Sequence, residues 1–246
     1  MSVFADLVER LADLLHPLFA ASATAAAIVV FTALVRLAVH PLSRSAARGH
    51  KARARLAPEL AALREKHGGD RERLQKATTE LYARQKVSPL EGCLPSLLQL
   101  PAFFLMYHLF SSARIGGEPN GLLDHTLFDA PLGGRWADAL SDGGVLGGAG
   151  LVYLALFGIV AAVATFTYLR TKRQMAAAPT VAGEQTPGMG AMLKVMPLMP
   201  FATLITVAVV PLAAALYVVT STTWSAVERV FLYRDMPVAG ALATAP

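Results

Sequence analysis

The sequence predicts an all-α polytopic membrane protein with five transmembrane helices, and three observations carry that expectation. Only 16% of its 246 residues are charged, against about 25% in ordinary soluble domains, while 54% are hydrophobic and the mean hydropathy is +0.48. The apolar residues gather into five blocks, 18–42, 91–112, 145–169, 189–210 and 211–232, each near the ~20 residues that a spanning helix requires. The basic residues concentrate in alternate connections, the pattern of a chain that crosses a bilayer repeatedly. Helices are favoured over a barrel because the blocks are continuously apolar, whereas barrel strands alternate over about ten residues.

Residues 1–17 come first. Asp6, Glu9 and Asp13 stand against Arg10 alone, the reverse of a secretory signal, so no cleavage is expected. Phe4, Leu7, Val8, Leu11, Leu14, Leu15 and Leu18 recur at helical spacing. They give an amphipathic helix that either lies in the membrane surface or packs against its own bundle.

The first span, 18–42, contains Arg36. An arginine at a helix centre costs roughly 2.5 to 3.5 kcal/mol on insertion scales, so a chain that keeps one there usually faces it toward a hydrated cavity. Snorkelling is the alternative, since Arg36 lies about 9 Å from the end of its helix at the α-helical rise.

Segment 43–90 carries twelve Lys or Arg, including Arg53, Arg55, Arg64, Lys66, Arg71, Arg73 and Lys76, which makes it cytoplasmic by the positive-inside rule. Leu56, Leu60 and Leu63 share one helical face and Leu74, Ala77 and Leu81 another, with Gly68-Gly69-Asp70 between them as a stop and an N-cap. The segment reads as an antiparallel helical hairpin, with a break or kink near Leu56-Ala57 because Pro58 is costly in a helix interior. Its charge suits anionic lipid or a phosphate-rich surface. With Tyr82 as its one aromatic residue, it is not a sequence-specific nucleic-acid reader.

The connection 113–144 holds Glu118, Asp124, Asp129, Asp138 and Asp142 against Arg114 and Arg135, and is expected outside. Connection 170–188 begins with Arg170, Lys172 and Arg173, and tail 233–246 follows Arg229, so both are expected inside. The blocks 189–210 and 211–232 meet at Pro211 and form a tight hairpin of short helices. The amino terminus is then outside and the carboxyl terminus in the cytoplasm. One cysteine, Cys93, excludes an internal disulfide framework, and neither a phosphate loop nor a metal-ligand cluster is visible, so no cofactor, metal or catalytic residue is expected.

The run from Lys86 to Phe103, with Val87-Ser88-Pro89 and then Gly92-Cys93-Leu94-Pro95, Gln99 and Pro101, resembles the signature of the YidC/Oxa1/Alb3 membrane protein insertases, bacterial YidC type, in its minimal five-span form. Val35-Arg36 with Pro41-Leu42, Met196-Pro197, and Leu216-Tyr217 with Leu232-Tyr233-Arg234 are similar to other core helices of that family. The resemblance implies that the five helices surround a hydrophilic groove open to the cytoplasm and lipid, with Arg36 as its positive charge and Thr32 one turn earlier on the same face. Gln99 and Tyr217 complete the candidate groove set, although Leu216-Tyr217-Val218 departs from the family's Leu-Tyr-Tyr. It further implies nascent membrane proteins as substrates, the ribosome and the Sec translocon as partners of the basic hairpin, a monomeric working unit, and a bacterial plasma-membrane location.

Two rival classes follow from the residues alone. An ion-coupled transporter or channel needs buried carboxylates, and only Glu91 and Glu228 approach the spans. A scaffold that docks partners through the hairpin should tolerate loss of Arg36. Thr32, Thr165, Thr167, Thr220 and Ser221 are also candidates for bonding back to their own helices rather than lining a site.

Overall fold

In the computed structural model, residues 2–67, 69–85, 100–177 and 195–234 are described. They are mostly helical. In chain order the helices are α1 (Ser2–Phe19), α2 (Ala23–His67), α3 (Arg71–Arg84), α4 (Leu100–Ser111), α5 (Trp136–Gly143), α6 (Gly148–Ala177), α7 (Ala202–Val209) and α8 (Leu212–Leu232). The signature stretch 86–99, with Gln99, and the segments 178–194 and 235–246 lie outside the described residues.

The chain divides into two compact units, one of residues 1–38, 101–168 and 198–228, the other of 39–100, 169–197 and 229–246. The first unit has one apolar core. Ile28 and Phe31 of α2, Leu109 and Phe110 of α4, Tyr153, Leu156 and Val160 of α6, and every residue from Leu212 to Val219 of α8 are buried in it. Ala213, Ala214 and Ala215 of α8 are fully buried, small residues of the kind enriched where helices pack in a bilayer.

One face of helix α1 packs against its own bundle. Ala5, Val8 and Ala12 pack into the core, while Phe4, Leu7, Leu14 and Leu18 stay exposed on the adjoining part of the same apolar arc. It runs two residues beyond the expected boundary at 17. A 3-10 turn, Ala20–Ser22, with Ala20 at a φ of +45°, then redirects the chain into α2.

The described elements refine the expected spans. Two helical stretches, Val3–His67 and Gly148–Met175, are long and apolar enough to cross a membrane. Helix α2 does not end near residue 42 but continues to His67 through Pro41 and Pro58. Of the break or kink expected near Leu56-Ala57, the break is absent. Pro58 sits on an exposed face where its ring and its missing N–H remove one helical hydrogen bond, and the surrounding Ala, Leu, Glu and Arg carry the helix past it. Within the described part of the fourth block, 195–210, a 3-10 turn, Met196–Phe201, is followed by the eight-residue α7. Pro197 and Pro200 withhold the N–H groups that an α-helix would need there.

The connection after α4 is folded rather than loose. Two short hairpins, Arg114–Ile115 with Glu118–Pro119 and Thr126–Leu127 with Ala130–Pro131, bury Ile115, Leu122, Ala130 and Leu132. Asn120 donates through its side-chain amide to the carbonyls of Leu109 and Ser112, closing the end of α4. The carbonyls of Gly134 and Leu132 accept from the backbone N–H groups of Leu212 and Ala213 at 2.9 Å, capping the first turn of α8. Tyr153 of α6 donates to the same Gly134 carbonyl at 2.7 Å, and Trp136 stacks edge-on against Phe157. The connection thus ties α4, α6 and α8 together at one end.

In the second unit, Asp70 caps α3 by accepting from the backbone N–H of Arg73 at 3.1 Å, as its position after Gly68-Gly69 predicted. Leu56 is buried, and Leu60, Leu63, Leu74, Ala77 and Leu81 are half-buried. The ring of His50 lies 6.2 Å from that of Tyr233, and Arg170 donates to the Arg229 carbonyl.

Candidate functional site

Helix α8 changes character along its length. Its first eight residues are apolar and buried apart from the Tyr217 hydroxyl, and then come Thr220, Ser221, Thr222, Thr223, Trp224 and Ser225. Six consecutive residues bearing a hydroxyl or an indole N–H are unusual in a helix that otherwise belongs to an apolar core.

Arg36 of α2 reaches this polar segment. Its Nε donates to Ser221 Oγ at 2.8 Å, and its Nη2 donates to the same oxygen. Tyr217, one turn before Ser221, is 5% exposed, and its hydroxyl is within electrostatic reach of both Ser221 and Arg36. The Tyr217 ring is held from the other side by Phe103 and Phe110, each with ring centres 6.0 Å away. Such packing fixes the phenol and leaves little freedom for the guanidinium.

Hydroxyl groups nearby divide into two kinds. Thr222 and Ser225 donate to the carbonyls of Val218 and Ser221, so their polarity is satisfied within α8. Thr223 Oγ1 and Trp224 Nε1 are buried without a hydrogen-bond partner among the described residues. A buried donor left unmade costs about 1 to 3 kcal/mol. Two such atoms in adjacent residues, within a turn of the Arg36 contact, mark the segment as one whose polar groups are not all met by the fold itself.

The candidate residues fare differently. Arg36 and Tyr217 come together as anticipated. Thr32 is 1% exposed and donates to the Ile28 carbonyl at 2.6 Å, so its hydroxyl bonds back to its own helix and presents no surface to a substrate. Ser221 behaves in the opposite way: expected among the back-bonding residues, it is the acceptor for Arg36. Its spacing, one turn after Tyr217 on the same helical face, was the signal that would have found it. Gln99 is outside the described residues. Of the hairpin residues, Arg55, Arg64, Lys66, Arg73 and Lys76 are exposed; the side chains of Arg53 and Arg71 are outside the described set. The ion pair of Arg73 with Asp70, 3.0 Å long, is at the surface and contributes little.

A separate cavity is lined by Glu9, Asp13, His16, Thr24 and His125. These side chains do not group as metal ligands, and no other His, Cys, Asp or Glu cluster does so among the described residues.

The chain is similar to known membrane proteins. The membrane protein insertase YidC of Anaeromyxobacter sp. (strain Fw109-5) is 43% identical over 94 residues, 38% of this chain and 17% of that protein. The protein of the same name from Azotobacter vinelandii is 45% identical over 80 residues, 32% of this chain and 14% of the relative. That of Laribacter hongkongensis is 41% identical over 102 residues, 41% and 18% of the two chains. The matched stretches therefore span less than a fifth of the length of these curated relatives. Residues 15–239, from the last turn of α1 through α8, match the family described as 60Kd inner membrane protein. The chain belongs to the 60Kd inner membrane protein family, the YidC/Oxa1 family of membrane insertases.

Proposed function

We propose that this chain is a membrane protein insertase that moves polar segments of substrate proteins through a hydrated groove and releases their transmembrane helices into lipid. The observation that carries the reading is the Arg36 guanidinium, held within an apolar helix against the neutral hydroxyl of Ser221 and beside Tyr217. A single-spanning substrate must carry a polar, often acidic, segment across hydrocarbon before its apolar helix can settle. A fixed positive charge partway across lowers that barrier by attraction, and water around it shortens the dry path. The step makes and breaks no covalent bond, consistent with a family that is not enzymatic.

In this reading five spans, 18–42, 91–112, 145–169, 189–210 and 211–232, surround the groove, with the amino terminus outside and the carboxyl terminus in the cytoplasm. Arg36, Ser221, Tyr217 and Gln99 face it, with Thr32 in the wall behind. Its location is the bacterial plasma membrane. The basic hairpin, through Arg53, Arg55, Arg64, Lys66, Arg71, Arg73 and Lys76, receives nascent membrane proteins and meets anionic lipid, the ribosome or the Sec translocon. The names of the relatives and the charge distribution of the connections support it.

Reconstitution tests the proposal. Liposomes containing the purified chain should insert small single-span proteins well above protein-free vesicles, with Arg36→Ala and then Arg36→Glu progressively impairing substrates whose translocated segment is acidic. Insertion no better than in empty vesicles would overturn it. Full insertion with both variants would keep the insertase reading and remove the electrostatic role of Arg36.

A further inference from the structure

The two hairpins after α4 meet the same backbone demand with different residues. Both have two-residue turns with both central residues at positive φ, the requirement of the tight turns that suit twisted strands. In the first turn these are Gly116 at +64° and Gly117 at +96°, where glycine adopts the conformation freely. In the second they are Phe128 at +47° and Asp129 at +66°. Aspartate tolerates this region, but a bulky phenylalanine does so only with strain. Nothing in the interior compensates, because Phe128 is 73% exposed and sits at the tip rather than in the core.

The place of that tip is defined by α6. A Cβ built on Gly148, the first residue of α6, would lie 3.4 Å from the Phe128 carbonyl oxygen and 3.8 Å from Asp129 Cβ, so the turn rests beside the start of this helix. Along α6 the first charged residue is Arg170. From Gly148 to Arg170 the helix rises about 33 Å, against ~30 Å for the hydrocarbon core of a bilayer. With Arg170 at one boundary, Gly148 and the turn beside it fall at the other. Leu146, two residues before α6, is 81% exposed, and Val145 is exposed as well. Leu151, Leu154 and Ile159, farther along α6, are exposed as well.

We propose that the Phe128 turn is a membrane-surface anchor, with the aromatic ring and Leu146 seated in the headgroup and upper acyl region of the leaflet at the start of α6, and Asp129 facing water. An aromatic side chain at that depth is favoured because its apolar ring and weak polarity suit the interface. Lipid is the occupant because the patch lies at the start of a spanning helix that exposes apolar side chains, and a zwitterionic bilayer suffices since the neighbouring Asp124, Asp129 and Asp138 offer no attraction to anionic headgroups. The anchor fixes the height of the connection that caps α8 through Leu132 and Gly134. The proposal rests on the reading of α6 as a span.

Phe128→Trp and, as a control for the span, Ile159→Trp are reconstituted separately into phosphatidylcholine liposomes brominated either high on the acyl chain or near its end. Each signal is read as the difference from the parent chain. The indole at position 128 should lose about half its emission to high bromines, little to low ones, and resist aqueous iodide, as expected for a ring buried 5–10 Å deep. The indole at position 159 should respond mainly to low bromines. Quenching at 159 together with an iodide-accessible, bromine-insensitive indole at 128 overturns the anchor and leaves the span intact; no bromine quenching at either position overturns both. Should Phe128→Trp fail to fold, Phe128→Cys in a Cys93→Ser chain, labelled with an environment-sensitive dye in liposomes, gives the same readout: emission blue-shifted from that of the same dye on exposed Asp70→Cys supports the anchor, and equal, water-like emission contradicts it.

Discussion

The two halves of α8 put the same helix to opposite uses. From Leu212 to Val219 it is sealed: every residue is buried, three consecutive alanines among them, and the first N–H groups are capped by carbonyls of Leu132 and Gly134. From Thr220 to Ser225 it is polar and, apart from the buried Ser221, half-buried; the Ser221 oxygen receives a guanidinium, and Thr223 and Trp224 keep polar atoms without partners among the described residues. A sealed half holds position; an unsealed half leaves polar groups able to meet water or a passing chain.

Substitutions that strike the sealed half should cost stability and those in the unsealed half should cost function. Leu212→Ala, at a fully buried position, should destabilise by about 2 to 5 kcal/mol, read as a lowered unfolding midpoint in detergent. A smaller loss would mean that the sealed half repacks. Arg36→Ala should leave that midpoint within a few degrees but reduce insertion of acidic-segment substrates roughly thirtyfold. That corresponds to about 2 kcal/mol, the attraction between unit charges some 8 Å apart at an effective dielectric constant near 20. Equal losses for acidic and neutral segments would show that the charge is not what the substrate senses.

Tyr153→Phe removes one hydrogen bond to the Gly134 carbonyl while Leu212 still donates to it, so a loss of about 1 kcal/mol is expected, with insertion unchanged. The smallest effect belongs to Asp70→Ala in the basic hairpin. It removes an N-cap worth about 1 kcal/mol to α3 alone, visible as faster amide exchange at Arg73 and no shift in the global midpoint.

Much of this division could be read from the residues. Continuous apolar runs gave α6 and α8 within a few positions of their observed starts, because burial in lipid or core demands the same unbroken pattern. Asp70 was legible as a cap because Asp followed by a helical pattern has one local solution. Arg36 stood out because a charge in an apolar helix has few cheap environments. What failed was the choice among hydroxyl groups: Thr32 and Ser221 each had two ways to satisfy one O–H, and only the tertiary placement of α2 against α8 decides which bonds inward. Pro58 misled for a related reason, since an exposed proline in a strongly helical context removes one bond without ending the helix. The folded connection between α4 and α6 was read only by its charge, because strands two residues long leave no periodicity to detect.

The central claim is that the Arg36–Ser221 contact is wet while the first half of α8 is dry. Ser221→Cys and Ala214→Cys, each in a Cys93→Ser chain reconstituted into liposomes, test it through reaction with a charged, membrane-impermeant thiol reagent. The account predicts modification at 221, accelerated by the neighbouring guanidinium stabilising the thiolate, and none at 214. Equal silence at both positions would show the guanidinium to be packed dry and would contradict the proposed route.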